Sequence, residues 1–242
     1  MAQGPEGVLM SGRYAVYYAP SLGSELDAFG NSWLGRDPVC GRELSAPPLR
    51  AIDTQVWESV TGTPRKYGFH GTLKAPFELR EGATAEELFE YAEAFAARQR
   101  CFSIKGLKLC DIGSFLALGP GDEHAMDDLA EACLREFEPF RAEPSLADME
   151  RRRARGLSPR QERLLVRWGY PYVLEEFRFH LSLTGTIMDR GVLKKVKRQL
   201  MDMTAGLRAA SHPVVDVCIF HQPDRQSPFL LVRRFPFLGG KA

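Results

Sequence analysis

No stretch of this 242-residue chain approaches the ~20 apolar residues a membrane-spanning helix needs. Its opening, MAQGPEGVLM, also lacks the basic-then-apolar order of a secretory leader. Cysteine is scarce and scattered. Cys40, Cys101, Cys110, Cys133 and Cys218 form no C-x-x-C pair, which argues against a structural zinc site or a redox dithiol. Net charge is nearly absent at +1, so bulk electrostatics favours neither a nucleic-acid coat nor a membrane surface, and recognition of an anion has to come from a local cluster. The expectation is a soluble, cytoplasmic protein with reduced thiols, no membrane partner and no cofactor. What the chain does have is ordinary globular composition, 44% apolar and 26% charged residues, enough to bury a core.

Residues 13–20, RYAVYYAP, read as a strand with Tyr14, Val16 and Tyr18 on one face and Ala15 and Tyr17 on the other. Helices are expected over 22–34 and 49–60, a strand over about 66–75, and a helix opened by the capping box of Thr84 and Glu87. Two strand-like runs, 102–110 and 115–119, then form a hairpin across Asp-Ile-Gly-Ser. After a helix at about 122–138, the same order returns: a strand over 177–187, a helix over 190–206 capped by Asp189, and strands over 214–220 and 229–235. This repetition of β-α-β-β, with halves around 66–119 and 177–235, predicts an α+β domain of two pseudo-symmetric lobes spanning 1–242, with antiparallel sheets, flanking helices and a central cleft. Between the halves lies an insert over about 140–172, where eight arginines stand against four acids from Arg141 to Arg167. Ser158, Pro159 and Gln161 mark a helix start within it.

Each half begins with the same short phrase, GFHGTLKAP at 68–76 and FRFHLSLTG at 177–185. Strand alternation gives each an apolar back and a polar front, with His70 and Thr72 on one front and His180 and Ser182 on the other. Two imidazoles facing one space suit a phosphodiester. A neutral imidazole takes a proton from water or an attacking hydroxyl, the protonated one gives a proton to the leaving oxygen, and histidine does both near neutral pH. Thr72 and Ser182 would donate to non-bridging oxygens, and nearby cations would offset charge on phosphorus. This scheme requires no metal, and neither histidine has a close second ligand of the H-E-x-x-H kind. His124, His212 and His221 are read as solvated or capping residues.

HGTL at 70–73 and HLSL at 180–183, on repeated antiparallel halves, resemble the two-histidine (2H) phosphoesterase superfamily, which includes cyclic nucleotide phosphodiesterases and RNA ligase-like proteins. More narrowly, YGFHGTLKAPF with the Arg-rich insert, RWGYPYV and FRFHLSLTG resembles a bacterial family assigned to phosphonate metabolism, of unsettled activity. The resemblance implies a two-lobed fold with its site in the central cleft, catalytic roles for His70 and His180, and phosphate contacts from Thr72 and Ser182. It supplies no substrate.

Tyr14, Tyr17, Lys74, Arg178 and Tyr172 are further candidates to face the cleft, with core packing the competing role for each aromatic. Arg163 and Arg167, four apart on a helix face ahead of RWGYPYV, are candidates for a basic, aromatic lid. The arginines at 151–155 read as a solvated face. Three functions fit: hydrolysis of a small cyclic phosphodiester, which is favoured; opening of RNA 2′,3′-cyclic phosphate ends, for which only the basic insert speaks; and binding of a phosphate ligand without turnover.

Overall fold

The computed structural model describes residues 12–122 and 124–239. In chain order these form β1 (Arg13–Tyr18), α1 (Glu25–Leu34), α2 (Thr54–Arg65), β2 (Gly71–Glu78), α3 (Ala85–Arg98), β3 (Phe102–Lys105), β4 (Leu107–Ile112), β5 (Phe115–Pro120), α4 (Asp127–Glu136), α5 (Leu146–Arg153), α6 (Pro159–Trp168), β6 (Leu181–Ser182), α7 (Arg190–Met203), α8 (Ala205–Ala209), β7 (Ser211–Val214), β8 (Asp216–Gln222) and β9 (Leu230–Pro236). The ladders between these strands are antiparallel. Seven strands make one sheet in the order β4-β5-β6-β2-β1-β8-β9, while β3 and β7 pair separately. This is the expected mixture of antiparallel sheet and helix. The two motif strands, however, are neighbours within one sheet rather than members of two sheets facing across a groove. Among the described residues no helix is long and apolar enough to cross a membrane.

Helix starts follow their caps. Thr84 and Glu87 make the reciprocal capping box of α3, Ser158 and Gln161 make that of α6, and the Asp189 side chain accepts from Val192 N–H at the head of α7. Strand limits depart further from expectation, each for a local reason. The helix expected over 49–60 starts later, because the Asp53 carboxylate accepts from Val56 N–H, and it runs on to Arg65. The strand expected from 66 therefore begins only at Gly71, after a turn in which Gly68 adopts φ +76°, a conformation that favours glycine. Gly106, at φ +75°, splits the run 102–110 into β3 and β4, which pair with different partners. The strand expected over 177–187 shrinks to two residues, because Leu183 and Thr184 N–H both turn to the Leu116 carbonyl and Gly185 N–H to that of Val60.

Under one face of the sheet lies the main core. Tyr14, Val16, Tyr18, Leu73, Leu181 and Leu183 pack there with Leu88, Ala92 and Phe95 of α3 and with Trp33 of α1. A smaller aromatic cluster on the other face holds Ala15, Tyr17, Cys218, Phe220 and Phe229, with Tyr67 and Leu231 at its edge. Each fully buried large apolar side chain contributes about 1.5–3 kcal/mol. Two tryptophans tie the helices to the short strand: the Trp33 indole donates to the Leu183 carbonyl at 2.7 Å, and the Trp57 indole to the Trp33 carbonyl at 2.6 Å.

Gly30, buried in α1, faces the ring of Phe69, and a Cβ added there would stand 1.8 Å from that ring. In an exposed helix, replacing Gly by Ala stabilises by about 1 kcal/mol. At this position the sign reverses. Gly30→Ala is expected to destabilise by about 1–3 kcal/mol through overpacking, read as a lower denaturant midpoint at unchanged slope.

Candidate active site

The two motifs meet through one pair of residues. β2 and β6 are in register at Gly71 and Leu181. Continuing that antiparallel register by one residue each way sets His70 opposite Ser182 and Thr72 opposite His180, all four on one face of the sheet. The two histidines then stand diagonally across the strands, a relation that separates Cβ atoms by about 7–8 Å. What permits so close a pairing is the missing side chain at Gly71, where a Cβ would lie 2.3 Å from the Phe179 ring.

Both imidazoles are anchored alike. His70 Nδ1 lies 2.8 Å from the Gly68 carbonyl, and His180 Nδ1 lies 2.8 Å from the Arg178 carbonyl, two residues back in each case. A carbonyl only accepts, so each Nδ1 carries the hydrogen and each neutral ring presents its Nε2 lone pair. The Thr72 hydroxyl is 3.3 Å from His70 Nε2. His70 stacks under Tyr17, with ring centroids 3.8 Å apart, and His180 leans on Phe115 at 5.7 Å. Burial pushes the His70 pKa down to about 4, the Gly68 carbonyl opposes this, and His180 lowers it further. Burial also lowers the pKa of His180, against the pull of the Arg178 carbonyl. Ser182 is half-buried beside them, and its strand neighbour across the ladder is Ala117.

The remaining candidates fall in several places. Tyr17 lies against His70, and burial raises its phenol pKa well above the ordinary value. Tyr14 is on the opposite face, 1% exposed in the core and 4.7 Å from the ring of His221, with its pKa raised by burial to about 12. The Lys74 ammonium is buried and bonded to Glu138 Oε2 at 2.7 Å and to the Leu134 carbonyl at 3.0 Å; burial lowers its pKa and Glu138 opposes that shift. Arg178 is exposed. Tyr172 packs edge-on against Tyr170 at 5.6 Å. Arg163 and Arg167 line a surface hollow of about 530 Å³ with Glu138, Arg141, Glu143, Glu162 and Val166, none of them a motif residue. His124 pairs with Asp127, His212 Nε2 donates to the Leu207 carbonyl in α8, and His221 is buried rather than solvated. Among the described residues no three His, Cys, Asp or Glu side chains gather as metal ligands would.

Residues that the sequence left unmarked extend the site. Tyr67, in the turn ahead of β2, stands 6.1 Å from the His70 ring and stacks on Phe229 at 5.2 Å. The Arg13 guanidinium lies over the other side of that cluster, 5.4 Å from Phe229, and donates to Gln222 Oε1. Arg152, read as solvated, is half-buried with its guanidinium 4.9 Å over Tyr170. Only the run of aromatics around RWGYPYV and near His70 signalled them.

Comparison with known proteins supplies the lineage. A family described as "Protein of unknown function (DUF1045)" matches residues 72–230, more than half of the chain; the stretch holds Thr72, His180 and Ser182 and begins two residues after His70. The chain belongs to that family. Two relatives carry the name ribose 1,5-bisphosphate phosphokinase PhnN: one from Janthinobacterium sp. (strain Marseille), 36% identical across 94% of this chain, and one from Laribacter hongkongensis (strain HLHK9), 32% identical across 91%. The chain spans about half the length of these relatives, 51% of each.

The lowered pKa of His70 carries a sign for stability. The unfolded chain takes up a proton on this residue near pH ~6.5, and the folded chain only near 4, so acid between those values favours unfolding. Denaturation midpoints are expected to fall as pH drops through that window, and to fall less in His70→Gln. Nuclear magnetic resonance titration of the imidazoles should place the His70 midpoint near 4; a midpoint at the ordinary value would show the ring to be solvated.

Proposed function

We propose that the chain is a phosphoesterase of the two-histidine kind, working as one two-lobed unit, which hydrolyses a small cyclic phosphodiester without needing a metal. The observation that carries this reading is the matched pair of imidazoles on one sheet face, each with Nδ1 tied to the carbonyl two residues back, so that each Nε2 is the nitrogen left for proton transfer. Binding alone calls for no such paired acid and base. In the reaction a water oxygen bonds to phosphorus as one Nε2 takes its proton, the ring P–O bond breaks, and the other histidine, protonated, gives its proton to the leaving oxygen. His70, pressed under Tyr17, is assigned as the base, and His180 as the acid. The Thr72 and Ser182 hydroxyls donate to the non-bridging oxygens.

The name of the relatives supports a sugar-phosphate substrate. The phosphokinase name describes proteins twice as long, and the phosphate-loop signature G-x-x-x-x-G-K-[ST] does not occur in these 242 residues. A half that opens a ribose cyclic phosphate would hand a ribose phosphate to a phosphokinase half, an order that fits a role in phosphonate metabolism.

Hydrolysis of ribose cyclic phosphates and nucleoside 2′,3′-cyclic phosphates in the presence of chelator tests the proposal. Turnover is expected to fall about 10²–10⁴-fold in His70→Ala and in His180→Ala, and roughly 10²-fold in Thr72→Val. Preference for the nucleoside substrates would move the reading to RNA ends. Tight phosphate-ester binding that survives both histidine substitutions, without turnover on any substrate, would make the protein a binding module.

A further inference from the structure

One group of polar side chains near the histidines is used by nothing described so far. From His70 a row of aromatics leads outward along the same face. Tyr17 stacks on the imidazole, Phe229 lies 6.2 Å from Tyr17, and Tyr67 and Arg13 flank Phe229. Tyr170 comes from the insert, and burial raises its phenol pKa. Over it sits Arg152, whose Nε is buried and has no hydrogen-bond partner.

A buried guanidinium donor without an acceptor is costly to keep unless a ligand supplies one. Among the described residues Arg152 forms no ion pair. Asp148 acts on both Arg152 and Arg13, and that carboxylate is already held by Arg151 and by Arg225 at 2.6 Å. Arg225 also binds Glu78. Arg13 and Arg152 thus bring two positive charges that no carboxylate bonds directly, and both line a narrow cavity of about 40 Å³ whose wall also holds Arg141 and Arg225 against the carboxylates of Glu78, Glu143 and Asp148. That room suits a group of a few heavy atoms. Planar guanidinium forks match the oxygens of a phosphate monoester, and the Tyr170 ring holds the Arg152 fork from one side.

We propose that Arg152, with Arg13, Tyr67 and Tyr170, forms a second anion subsite that holds a terminal phosphate monoester on the same substrate whose cyclic phosphate lies between His70 and His180. This rests on the reading given under Proposed function, and it narrows the substrate to a cyclic phosphodiester of a sugar phosphate. Addition of water across the ring P–O bond then leaves a sugar bisphosphate. A reaction that consumes such a product has to accept two separate monoesters on one sugar.

The decisive comparison uses a ribose cyclic phosphate with and without a phosphate on its 5-position, in wild type, Arg152→Gln and Tyr170→Phe, alongside calorimetric binding of ribose 5-phosphate. Wild type is expected to prefer the 5-phosphorylated substrate by about 100-fold in kcat/KM, and Arg152→Gln to reduce that preference roughly 10–100-fold, mainly through KM. Tyr170→Phe keeps the ring under the guanidinium and is expected to reduce the preference less. Equal kcat/KM for both substrates in wild type, or a preference unchanged by Arg152→Gln, overturns the subsite while leaving the hydrolase reading intact. Ribose 5-phosphate binding that is lost in Arg152→Gln, in a protein that turns over no cyclic substrate, upholds the subsite and removes the hydrolase reading.

Discussion

The pairing of Gly71 with Leu181 is the contact on which the rest of the site depends. β6 is two residues long, so its own ladder bonds cannot hold it in place. It is fixed instead by what surrounds it: Phe179 pressed onto the bare backbone of Gly71, the Trp33 indole on the Leu183 carbonyl, and the Leu116 carbonyl receiving the next two N–H groups. The donors and acceptors of a strand that leaves its sheet so soon have to be satisfied from elsewhere. Here helices α1 and α2 do much of that work, which is why tryptophans far from the motifs in sequence bear on where His180 sits.

Placed in this way, the imidazoles occupy an environment that cuts in two directions. The stacking Tyr17 and the surrounding aromatics exclude water, which keeps His70 neutral and its Nε2 available. The same exclusion makes a positive charge on either ring costly until an anion arrives. On the proposed reading an incoming phosphodiester would supply that anion, and the substrate itself would help set the protonation state of the rings.

The insert joins the site through its own polar anchors. Glu138 holds both Lys74 of β2 and Arg141, and buried ion pairs of this kind are strongly destabilising to break from one side. Asp148 clamps α5 to Arg225 in the turn before β9. These anchors carry Arg152 and Tyr170 to the edge of the aromatic row, while Arg163 and Arg167 face a separate hollow. A basic stretch that looked uniform in sequence is therefore divided between two surfaces.

Much was settled by sequence alone. The caps at Thr84, Ser158 and Asp189 start helices because a side-chain oxygen three residues from a free N–H acts locally. The two motif phrases and the alternation of β1, with Tyr17 on the face opposite Tyr14, are likewise local, because neighbouring side chains in a strand point to opposite sides. Strand ends were not legible, because Gly68 and Gly106 turn the chain at positive φ, and β6 ends where tertiary carbonyls outbid the ladder. Nor was the fate of individual cations. Lys74 and Arg152 are each a long charged side chain beside a likely-looking motif or run, and nothing near them in sequence tells that one meets Glu138 and the other a tyrosine ring. Local chemistry wrote the elements and the motifs; only the packing of distant segments decided which charges pair inside the fold and which do not.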